Sequence, residues 1–157
     1  MPHIIIEHSS DISKNSILDL QKEIQNILAS ITEGNFDIDQ CKARNHAFDE
    51  YLVGKSDQDT ASFLHITIKI LAGRTLEARQ KLAEAVMSFS KKFFEKLAFS
   101  PTLTDQITAT VSQIGEVISG IPNAQLPLQN HNLAGKRCDI SVDIVEMAKE
   151  TYQKIRL

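Results

Sequence analysis

Two similar pentapeptides, His3-Ile4-Ile5-Ile6-Glu7 and His65-Ile66-Thr67-Ile68-Lys69, each stand ahead of a polar loop and a long amphipathic stretch. An internal echo of this kind constrains the fold more than any single motif, because a repeated strand-loop-helix unit implies a duplicated architecture. Residues 3 to 7 are β-branched and apolar, as in a buried strand. Between Phe63 and Leu71 the alternation is explicit: Leu64, Ile66, Ile68 and Ile70 share one face, and His65, Thr67 and Lys69 the other.

The helices that follow are equally readable. Ser13 is placed to cap a helix whose apolar positions Ile17, Leu20, Ile24, Ile27, Leu28 and Ile31 keep the three-four spacing of one buried face, ended by Gly34 and Asn35. Thr75 is placed to cap a second helix carrying Leu82, Val86, Phe89, Phe93 and Leu97. A less regular extended stretch is expected from Cys41 to about Val53, and an alternating last strand from Ile140 to Met147.

The expectation is an α+β chain of two βαβ units, one at about 2–55 and the other at about 62–147. At 157 residues with 42% hydrophobic content, one domain over 1–157 buries an adequate core and two are cramped. The second unit carries an insertion at 98–139, with a Thr104-capped helix presenting Ile107, Val111, Ile114 and Ile118 and then a loop before the last strand. A polar tail occupies 148–157.

Composition narrows the function. A net charge of −3 and a pI near 5.9 leave no basic excess for phosphate backbones, so nucleic acid is not an expected partner, and an anionic ligand must be met by a few local cations. Cys41 and Cys138 lie outside any CxxC pattern, which argues against a disulfide framework or a zinc site. The first ten residues read as neither a signal peptide nor a membrane span, so cytoplasm is the expected setting. The five histidines show no metal-ligand spacing; His46 and His65 read as strand-face residues. Gly54-Lys55-Ser56 lacks the earlier glycine of a phosphate loop, and no GxSxG elbow occurs.

Pro2 is the residue with chemical promise. A small second residue generally permits removal of the initiator methionine, which would leave a secondary amine; burial or nearby cations would then lower its pKa towards neutrality. The plain alternative is a proline that begins an edge strand, where its missing N–H costs little.

The opening MPHIIIEHS, the stretch CKARNHAFDEY and the central LHITIKILAGRTLEARQ together resemble 5-carboxymethyl-2-hydroxymuconate isomerases of the tautomerase superfamily. The resemblance covers residues 2 to about 95, and again 140–157, leaving the insertion unmatched. It implies a mixed four-stranded sheet with helices on one face, a homotrimer, and no cofactor or metal. It also implies that the proline nitrogen moves a proton from a substrate hydroxyl to a distant carbon of an unsaturated di- or tricarboxylate, as in homoprotocatechuate breakdown. Pro2 would be the base. Arg74, in Ala72-Gly73-Arg74, matches one carboxylate-binding arginine of that family, and Lys42 falls where the other stands, replacing a planar fork with one ammonium. Arg44 shares the Lys42 face of an extended strand, so it replaces the missing arginine only across a bulge. The helix after Thr75 adds N–H groups that favour an anion beside Arg74. Without the resemblance, Lys42 and Arg44 read as a solvated strand face. Two alternatives follow: proton transfer on a different, smaller keto acid, or a tautomerase-like oligomer that binds without turnover.

Overall fold

The computed structural model describes residues 2–57, 59–99, 133 and 136–148. In chain order these form β1 (His3–Ser9), α1 (Lys14–Ser30), β2 (Lys42–Phe48), β3 (Ala61–Leu71), α2 (Leu76–Phe99) and β4 (Arg137–Met147). The expected Thr104-capped helix, most of the 98–139 insertion and the tail beyond 148 lie outside the described residues.

The four strands make one mixed sheet in the order β2-β1-β3-β4. β1 runs parallel to β2, β3 runs parallel to β4, and the two central strands are antiparallel. The echoing pentapeptides therefore pair with each other, His3 opposite Lys69 and Glu7 opposite His65, about a centre at Ile5 and Thr67. That is the local two-fold arrangement of two βαβ units.

Alternation settles which face takes the helices. Ile4, Ile6, Leu64, Ile66, Ile68 and Ile70 are essentially buried and join Ile17, Leu20, Ile24 and Leu28 of α1 and Leu82, Val86 and Phe94 of α2 in one core. Both helices cover that face. The other face, with His3, Ile5, Glu7, Phe63, His65, Thr67 and Lys69, is half-exposed.

The caps hold as expected at the helix starts: the Ser16 N–H donates to Ser13 Oγ at 3.1 Å, and the Ala78 N–H to Thr75 Oγ1 at 3.1 Å. β1 runs two residues further than expected, to Ser9, and β3 starts two earlier, at Ala61; three other boundaries differ by more. α1 ends at Ser30, and Thr32–Gly34 forms a separate 3-10 turn closed by Asn35 in the left-handed region. β2 stops at Phe48 because its partner β1 ends at Ser9, so the residues towards Val53 have no ladder to join. β4 starts at Arg137, three residues before the expected Ile140, with Cys138 inward and Arg137 and Asp139 outward. The insertion is shorter by that much. Among the described residues, no helix is long and apolar enough to cross a membrane.

Candidate active site

Pro2 is buried at the head of β1, and the Lys42 N–H donates to its carbonyl at 3.1 Å. This bond extends the parallel β1–β2 ladder by one step and brings Lys42 to the Pro2 end of the sheet. The register is unbroken from His3 opposite Lys42 to Ser9 opposite Phe48. No bulge moves Arg44 into the Lys42 position; it stands opposite Ile5, two residues or about 6.6 Å further along the strand.

Arg74 reaches the same end from the other direction. β3 runs antiparallel to β1, so the turn after Leu71 returns to the edge where β1 begins. Gly73 takes a φ of 98°, a conformation that glycine adopts without strain, and this shapes the turn that presents Arg74. The guanidinium donates from Nε to the Gly34 carbonyl at 3.0 Å, from Nη1 to Leu71 at 3.3 Å and from Nη2 to Asn35 at 3.4 Å. Its carbon lies 5.6 Å from the centre of the Phe36 ring. Arg74 thus has a structural role as well: it staples the 3-10 turn to the end of β3. Among the described residues, three of its five N–H donors are engaged and two have no partner.

Sequence reasoning missed two neighbours of this site. His3 and Lys69 are cross-strand partners, and Lys42 flanks His3 from the other side. Burial holds the His3 imidazole below its ordinary value, and the charges of Arg44, Lys42 and Lys69 push the same way. The signal was present in the echo, since antiparallel pairing of the two pentapeptides sets the first residue of one against the last of the other.

The remaining candidates behave as structural groups. His65 contacts Ser141 Oγ at 2.7 Å through Nδ1 and Thr67 Oγ1 at 3.1 Å through Nε2, while His46 packs edge-on against Phe48. Burial raises the Cys41 thiol, and burial reinforced by Asp11 and Asp139 pushes the Cys138 thiol up to about 12, so neither is poised as a nucleophile. At the opposite end of the sheet, Asp11 accepts from Ser62 Oγ at 2.6 Å and pairs with Lys136 at 3.0 Å, tying the β1–α1 loop to the starts of β3 and β4.

The architecture is that of the tautomerase superfamily. A 5-carboxymethyl-2-hydroxymuconate isomerase from Deinococcus radiodurans R1 is 18% identical with a TM-score of 0.63, covering 99% of this chain and 90% of that one. A fused 4-OT symmetric trimer is 12% identical with a TM-score of 0.55, covering 94% and 88%. At these identities the likeness is one of fold. Sequence is more specific: the 5-carboxymethyl-2-hydroxymuconate isomerase family model matches residues 2–124. The 5-carboxymethyl-2-hydroxymuconate Delta-isomerase of Escherichia coli is 35% identical over 104 residues, 66% of this chain and 80% of the relative. The chain belongs to the 5-carboxymethyl-2-hydroxymuconate isomerase family. The family match runs on to 124, well past residue 95, so the start of the insertion is family-like rather than unmatched.

Proposed function

We propose that this chain is a tautomerase-type isomerase that moves a proton between oxygen and carbon of an unsaturated carboxylate such as 5-carboxymethyl-2-hydroxymuconate, using the nitrogen of Pro2 exposed by loss of Met1. The observation that carries this reading is the convergence of Pro2, Lys42 and the Arg74 turn on one end of the sheet. An ordinary α-amino group titrates near about 7.7–8.0. Burial and the neighbouring cations disfavour its charged form, so near neutral pH the amine is free to accept the substrate's 2-hydroxyl proton. The electron pair released spreads over a dienolate, and the prolinium returns the proton to the distant carbon. Lys42, Arg44 and the two remaining N–H donors of Arg74 hold the carboxylates and oppose the developing negative charge. Donors arranged in advance contribute several kcal/mol to such a step. The proton leaves and returns without a change of oxidation state in the protein, so the mechanism calls on no cofactor.

The family membership and the trimeric solved relatives support a homotrimer, and the exposed edge strand β2 offers a surface for assembly. The same membership favours a single tautomerase-like domain over 1–157 and a place in homoprotocatechuate breakdown.

The test is ultraviolet detection of turnover without added cofactor, on 5-carboxymethyl-2-hydroxymuconate and on smaller 2-hydroxydienoates. Pro2→Ala is expected to lower kcat by at least a hundredfold with the melting temperature unchanged. Unchanged turnover rejects the mechanism. A second reading, a binding protein without turnover, is favoured by the three carbonyls that Arg74 already holds; a wild-type chain that binds these acids without converting them supports it.

A further inference from the structure

We propose that Lys69 is a further substrate-binding residue, its ammonium joining that of Lys42 across His3 to form a two-cation subsite for a substrate carboxylate beside Pro2. This deepens the isomerase reading and rests on it. Lys42, His3 and Lys69 occupy one row across β2, β1 and β3, on the face of the sheet that carries no helix. Directly opposed residues in adjacent strands lie about 4.5–5.5 Å apart at Cα, so two ammonium stems rise on either side of one imidazole. Arg44 stands in the next row.

Position together with charge balance sets these cations apart. Lys22, Arg79, Lys81, Lys136 and Arg137 each pair with a carboxylate at 2.8–3.3 Å. Among the described residues, Lys42, Arg44 and Lys69 show no such pair. Among the described residues Lys14, Lys55, Lys91, Lys92 and Lys96 also show no carboxylate pair, but they lie on the helices or in the loop after β2 and not on the open face of the sheet. Like charges gathered on one sheet face, here two strands apart, repel each other, and an anion bound between them relieves that repulsion. His3, held below its usual range, adds no third charge to the row at neutral pH.

Lys69 also answers the replacement of the family arginine by Lys42. A guanidinium grips both oxygens of a carboxylate with a rigid fork, which one ammonium cannot do. Two ammonium groups on the strands either side of β1, reaching over His3, give each oxygen its own donor. Lys69 suits this role because it sits on a central strand and is half-buried, whereas Lys42 is on the exposed edge.

Kinetics of the full-length enzyme decide the matter, with K69Q and K69R compared on the tricarboxylate 5-carboxymethyl-2-hydroxymuconate and on a 2-hydroxydienoate bearing one carboxylate. The expected result for K69Q is a KM at least tenfold higher for the tricarboxylate, with kcat within about twofold and a much smaller change for the single-carboxylate acid. K69R is expected to restore most of the affinity. An unchanged KM in K69Q overturns the proposal. So does a KM change that accompanies dissociation of the oligomer in sedimentation, which would make Lys69 a subunit contact. Full turnover by Pro2→Ala strikes the isomerase reading itself, whatever Lys69 does.

Discussion

Gly34 shows how tightly the Arg74 turn is built. A methyl group added there would come within 2.1 Å of the Phe36 ring, and the Gly34 carbonyl accepts the Nε–H of Arg74. Gly34→Ala is therefore expected to displace Phe36, cost about 1–3 kcal/mol and raise KM through a misplaced guanidinium. Thermal melting and steady-state kinetics check both, and a variant with unchanged melting and KM would remove Arg74 from the site. Pro2, Lys42, Arg44 and Arg74 were named as candidates because short motifs carry them. His3 and Lys69 were not, because their meaning lies in a register between strands about sixty residues apart, which no local spacing encodes. The engagement of Arg74 with the carbonyls of Gly34, Asn35 and Leu71 was likewise hidden, since main-chain acceptors leave no mark in side-chain identity.

Among the elements, α1 depends on its cap. Ser13→Ala removes the acceptor for the Ser16 N–H and is expected to cost about 1 kcal/mol in denaturant unfolding; no loss would mean another group takes that N–H. Leu82→Ala, at a fully buried position of α2, is expected to cost about 2–5 kcal/mol. The face of α2 was only partly legible. The apolar pattern pointed to Leu82, Val86, Phe89, Phe93 and Leu97, whereas the line buried deepest runs through Ala78, Leu82, Val86, Ser90 and Phe94. Phe89 and Phe93 flank it, ring centres 5.9 Å apart. Small side chains at 78 and 90 let a helix approach a sheet closely, and a reading weighted by hydrophobicity passes over them. Strand β3 was legible nearly to the residue because one face is wholly buried, whereas edge strand β2 is bounded by its partner and not by its own pattern.

For the molecule as a whole, acidity is the informative variable. His3 and His8 are both held below the ordinary 6.5; burial is the leading cause in each, and at His8 it outweighs the Ser9 carbonyl, Asn45 and Asp11. On acidification the unfolded chain takes up these protons before the folded one does. Their contribution to stability is thus complete above about 6.5 and is lost as pH falls from there through the lower folded values. At constant protein concentration, the urea midpoint is expected to drop between pH 7.5 and 5, and His8→Gln should flatten that drop; a midpoint that rises on acidification contradicts it. Asp11 acts lower. Burial alone would raise it, but hydrogen bonds from Ser62, Ser9 and Lys136 together with the Lys136 charge leave it below 3.8, so its contribution disappears only below that pH.

The duplicated architecture followed from two echoing strands, whereas the assembled state is proposed and rests on no one residue. What unites both scales is the start of β1, where the proposed chemistry requires a chain that begins at Pro2. Intact-mass measurement on enzyme that is turning over tests this most directly. The predicted result is a mass lacking Met1, with activity proportional to the fraction so processed; full activity in a preparation that keeps Met1 would contradict it.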